Sequence, residues 1–112
     1  MEKEMNRKKK VYISGPISGH IDTWEGKRDV AFRFRKHENA LKEEGYDVVN
    51  PTRFLLFRWG WLYRLVGYRL TLLYDLWRLS RCDVIYQLPG GFHSRGCNIE
   101  WEWAEQMNME KI

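Results

Sequence analysis

Apolar and polar positions along the chain switch between two periods. Val11-Tyr12-Ile13 is a short apolar run that stops at SGPISGH, residues 14–20, and predicts a strand ended by a Gly- and Pro-rich turn. From Trp24 to about Glu44, Val30, Ala31, Phe34 and Leu41 recur as a broken apolar stripe at helical spacing. Asp22 or Thr23 can cap that helix, and Gly45 stops it. Tyr46 to Asn50 reads as a second strand closed by Pro51, and a helix from about Arg69 to Ser80 carries leucine at 70, 72, 73, 76 and 79. A β-prone run at Val84, Ile85, Tyr86 and Leu88 is then broken by Pro89, Gly90 and Gly91. Ser94-Arg95-Gly96 lead into a helix beginning near Asn98, and MEKI at 109–112 can start a last strand. Strands alternating with helices predict an α/β domain built on a parallel sheet.

The stretch from Cys82 to Ala104 carries the most chemistry. A strand that runs through a Gly-rich loop into a helix offers free backbone N–H groups and the positive end of a helix dipole to a phosphate or carboxylate. Glu100, in the first turn of the helix so predicted, lies on the face that turns back towards Gly96, whereas Glu102 points away. From spacing alone a functional carboxylate and a solvated helix acid are equal readings. The turn at 14–20 is a second place for a phosphate, although it has neither the Walker lysine pattern nor GxGxxG spacing. Asp75 interrupts the leucine-rich helix. Spacing favours a surface charge beside Arg78; the competing reading sets it at the core edge with Leu72 and Leu79, where desolvation would raise its pKa.

Composition narrows the class. The 112 residues suffice for one domain, and 44% hydrophobic and 15% aromatic content indicates a globular chain beyond a flexible basic tail at 1–9. That tail has no apolar core, so it does not read as a signal peptide, and no uninterrupted apolar run is long enough to span a bilayer. The expected location is cytoplasmic. Cys82 and Cys97 lack zinc-site number and spacing and read as small buried apolar residues. The formal charge of +4 favours an anionic partner, either a small phosphorylated molecule or a nucleic acid. Arg28, Arg35 and Lys36 contribute to it as a solvated helix face.

Between Phe54 and Tyr68 nearly every position is aromatic, aliphatic or arginine. Phe57, Trp59, Trp61, Leu62 and Tyr63 exceed what one face of a small domain can bury. This insertion, at about 53–68, is read first as a homo-oligomer interface, then as a membrane surface contact, then as a nucleic-acid platform.

YISGPISG at 12–19, VVNP at 48–51, YDL at 74–76, CDVIYQLPG at 82–90 and SxGxxxE at 94–100 together resemble the nucleoside 2-deoxyribosyltransferase-like superfamily. More narrowly, they resemble its uncharacterised branch, a domain of unknown function. The resemblance implies a single-domain, flavodoxin-like α/β three-layer sandwich with a short parallel sheet, acting at the N-glycosidic bond of a nucleoside or nucleotide without a cofactor or metal. It implies Glu100 as nucleophile, Asp75 touching the sugar or assisting proton transfer, and Tyr12 as the strand-one tyrosine of the site. Ser94 stands where enzymes acting on free nucleosides have an aspartate, and is similar to the serine of nucleoside 5′-monophosphate N-glycosidases. A hydroxyl suits a dianion that an aspartate would repel. Gly15, Ile17, Ser18 and Gly19 would then line one side of a phosphate pocket, and Ser94 and Gly96 the other. The competing expectation is a non-catalytic nucleotide-binding or nucleic-acid-associated module on the same fold.

Overall fold

In the first strand, β1 (Lys10–Ser14), every residue after Lys10 is buried, and the side chains divide between two helical layers. Val11 and Ile13 pack with Val84, Leu88, Val30, Phe34 and Leu41 on one face. Tyr12 packs with Ile85, Leu76, Leu79, Cys82, Ala104 and Met109 on the other. The computed structural model describes residues 8–15, 24–53, 67–89 and 95–112. After β1 come α1 (Trp24–Glu43), β2 (Asp47–Val49), a 3₁₀ turn (Pro51–Arg53), α2 (Tyr68–Ser80), β3 (Val84–Gln87), α3 (Arg95–Gln106) and β4 (Glu110–Lys111). The strands form one sheet in the order β2-β1-β3-β4, and all three pairings are parallel. With α1 on one face and α2 and α3 on the other, the domain is a three-layer α/β sandwich of flavodoxin-like strand order.

Local chemistry sets the boundaries. Gly45 adopts φ 97°, while Tyr46 N–H donates to the Leu41 carbonyl and Gly45 N–H to that of Lys42, the paired bonds of a Schellman cap. Asn108, at φ 55°, ends α3 in the same way with Met109 N–H on the Ala104 carbonyl. Two predicted boundaries shift with consequences. β1 continues through Ser14, which pairs with Gln87, where the sequence reading began the turn. α3 starts at Arg95 rather than near Asn98, so Glu100 sits in its second turn and not its first. Smaller differences are the shorter β2, at 47–49, and the end of α1 at Glu43.

Arg28, Arg35 and Lys36 are exposed, and Cys82 and Cys97 are buried and not joined in a disulfide, the Cys82 thiol being pushed up to about 11 chiefly by burial. Among the described residues no helix is long and apolar enough to cross a membrane. The tail at 1–7 and the aromatic segment at 54–66, with the interface, membrane and nucleic-acid readings placed on it, lie outside the described residues.

Candidate active site

Position 12 and position 14 of a strand face the same way, and here both point at α3. α3 buries Cys97, Glu100 and Ala104 along one stripe, which puts an acid where its helix meets the sheet. The Tyr12 hydroxyl donates to Glu100 Oε2 at 2.6 Å, and the Ser14 hydroxyl donates to Oε1 at 2.7 Å. Glu100 is 6% exposed; Tyr12 and Ser14 are fully buried. Burial drives the Glu100 carboxyl up to about 7, against the two hydrogen bonds, which favour its charged form. The phenol of Tyr12 is raised well above its usual range, first by burial and then by the charges of Glu100 and Asp75.

Asp75 reaches the same group from the middle of α2. It is half-buried, and its carboxyl is raised to about 8, first by burial and second by the Glu100 charge, with Arg78 pulling the other way. The plain reading of Asp75 as a surface charge beside Arg78 is therefore corrected, since burial and Glu100 outweigh that arginine. The two helices are also joined at the C-terminal end of α2, where the Trp103 indole N–H donates to Ser80 Oγ at 2.8 Å.

The group lies towards the carboxyl ends of β1 and β3, the strands on either side of the point where strand order reverses, and ligands of open α/β sheets bind there. Of the predicted phosphate residues, Gly96 stands in the first turn of α3, one turn before Glu100. Gly15 follows Ser14 in a tight place: a Cβ there would lie 2.5 Å from Leu88 Cδ1 and 2.7 Å from Phe34 Cζ, so any larger residue would have to displace those two core side chains. Ile17, Ser18, Gly19 and Ser94 lie outside the described residues. A cleft of about 390 Å³ opens at the other end of β1, lined by Lys10, Val49, Trp77, Arg78, Arg81 and Cys82, and none of the four polar residues of the buried group lines it. Among the described residues, no cluster of His, Cys, Asp or Glu stands ready to hold a metal ion.

A family model described as a domain of unknown function (DUF4406) matches residues 9–112. The chain belongs to that family. The match spans the whole described sandwich, from the residue before β1 through β4, so the carboxyl pair lies inside the family domain. A comparison with curated proteins found no match.

Two polar residues of this DUF4406 domain escaped the sequence reading. Ser14 was taken as the first residue of a turn, and only the added strand residue puts it on the face of Tyr12. Glu38 is 1% exposed in the gap of the α1 apolar stripe, held by Asn50 Nδ2 at 2.8 Å, Lys42 Nζ at 2.8 Å and Arg53 Nε at 3.0 Å. The signal for Glu38 was the break in that stripe between Phe34 and Leu41, one turn from each.

Proposed function

We propose that the domain binds a nucleoside 5′-monophosphate and hydrolyses its N-glycosidic bond, with Glu100 as nucleophile. The observation that carries the reading is a buried glutamate with both oxygens held by hydroxyl donors, beside a second raised carboxyl, near the ligand-binding end of the sheet. A carboxylate nucleophile beside a carboxylic acid that can give up a proton is the machinery of glycosidic cleavage. The resemblance of YISGPISG, YDL and SxGxxxE to the nucleoside 2-deoxyribosyltransferase-like superfamily names the substrate class, and Ser94 favours the phosphorylated branch.

In this reading a lone pair of the Glu100 carboxylate forms a bond to the anomeric carbon as the bond from that carbon to the base nitrogen breaks. The bond pair leaves with the base, which takes its proton from neutral Asp75. Water then attacks the anomeric carbon of the glycosyl ester and returns a proton to Asp75. The products are the free base, the sugar 5-phosphate and the regenerated Glu100 carboxylate. Tyr12 stabilises that carboxylate through its hydroxyl, as expected for a donor to a charged acceptor.

The test is release of free base from a panel of nucleoside 5′-monophosphates. Glu100→Gln is expected to lower release by at least about 10³-fold, because the amide keeps the shape but is not a nucleophile, while Glu102→Gln is expected to be near wild type. Ser94→Asp is expected to weaken binding of monophosphates far more than of unphosphorylated nucleosides. A wild-type protein that binds monophosphates and releases no base from any of them would replace hydrolysis with simple nucleotide binding.

A further inference from the structure

We infer that Ser14 is a positioning residue: with Tyr12 it fixes the plane of the Glu100 carboxyl and makes Glu100, rather than Asp75, the charged member of the pair. The inference rests on the reading of Glu100 as the reacting carboxylate, and it concerns which of two neighbouring acids holds the proton.

The Ser14 hydroxyl is delivered to a fixed point. Its own carbonyl accepts from Leu88 N–H at 2.8 Å, and its backbone is paired with Gln87 of β3. The next residue, Gly15, lies so close to the buried side chains of Leu88 and Phe34 that a Cβ would have to displace them, so the end of β1 is packed tightly. Tyr12, two residues earlier, is locked in the core among Leu76, Leu79, Ile85 and Ala104. Two donors from one rigid strand therefore meet the two oxygens of one carboxyl.

A count of protons then decides the charge. Serine and tyrosine hydroxyls each have one proton to donate. With Glu100 ionised, both are donors to an acceptor and every buried group is satisfied, in keeping with the absence of unpaired buried side-chain N or O atoms among the described residues. With Glu100 protonated, one hydroxyl must accept instead, and its own proton loses the only partner recorded for it among the described residues. Asp75 has no hydrogen-bond donor of this kind among the described residues. The titratable and charged groups facing the pair are Tyr12 from β1 and Arg78 from α2, while Glu102 and Glu105 of α3 are exposed. Burial raises both carboxyls.

Carbon-13 NMR titration of the glutamate and aspartate side-chain carboxyls, assigned with Glu100→Gln and Asp75→Asn, tests this without needing turnover. In the wild type Glu100 is expected to ionise before Asp75. Ser14→Ala, which only removes the hydroxyl, is expected to raise the Glu100 midpoint by about one pH unit and bring it level with or above that of Asp75. Ser14→Cys, of similar size and with a weaker donor, is expected to give a smaller rise, which a purely structural role would not produce. An unchanged Glu100 midpoint in folded Ser14→Ala overturns the inference, as does a wild type in which Asp75 ionises first. If Ser14→Ala is unfolded by circular dichroism, Ser14→Cys decides by the same midpoint. In an active enzyme the acid limb of base release moves with the midpoint. A wild type that releases no base, with the midpoints shifting as expected, removes the glycosidase reading and leaves the role of Ser14 intact.

Discussion

Glu38 and Glu100 are both buried helix glutamates on opposite faces of the sheet, and their surroundings drive them in opposite directions. Burial pushes both carboxyls up. At Glu38 the bonds from Lys42, Asn50 and Arg53 outweigh it and bring the carboxyl down to about 2. At Glu100 the partners are two neutral hydroxyls, and burial wins, at about 7. Burial alone therefore says little about what an acid does; the charge of its partners decides between a permanent anion and one that titrates near neutrality. Glu38 ties α1 to the residues after β2, where Asn50 Oδ1 also accepts from the backbone N–H and the hydroxyl of Thr52. Among the described residues Glu100 meets only the Tyr12 and Ser14 hydroxyls of β1 and no cation.

The sharpest test of this contrast is the sign of two stability changes. Glu38→Gln is expected to destabilise the fold at pH 7 by about 2 kcal/mol, somewhat below the full linkage value because Lys42 and Arg53 are half exposed. A depressed carboxyl stabilises above its unfolded pKa, so the wild-type advantage should shrink as pH falls from about 4.5 towards about 2. Urea midpoints at pH 7 and pH 3 measure it, and equal loss at both would break the account.

Glu100→Gln should do the reverse. A raised carboxyl favours folding fully only below its unfolded pKa, and that contribution is lost as pH rises through about 7. The amide is therefore expected to raise stability by about 1 kcal/mol at pH 8 and to change little below pH 4.5. A variant less stable than wild type at pH 8 would show that Glu100 is held as a structural anion like Glu38.

The smallest expected effects belong to the cations. Lys42→Ala and Arg53→Ala should each cost about 0.5–1 kcal/mol, with the cost falling at high salt, because each is a half-exposed partner of one buried charge. Their double variant should be non-additive, since both act on the same carboxylate.

The fold was legible where the chain keeps a clean period. Alternating strands and helices predicted the parallel sheet, and the Gly45 stop was readable because only a few residues accept its backbone angle. The site was less legible because its polar residues sit inside apolar patterns. Ser14 looked like turn sequence because a Gly-Pro pair follows it, and Asp75 looked solvated because Arg78 is its neighbour by spacing, whereas Glu100 reaches it across two helices. Glu38 was hidden by the habit of reading an acid on a helix as surface. Tyr12, Asp75 and Glu100 were brought together in advance by family resemblance, which supplies long-range neighbours that spacing does not.

The closeness of Glu100 to Asp75 also has a calorimetric consequence. An anion seated beside two acids that titrate near neutrality makes both harder to ionise, so binding would draw protons from the buffer. The heat of binding such an anion would then change with the ionisation heat of the buffer, and the slope of that dependence would count the protons taken up.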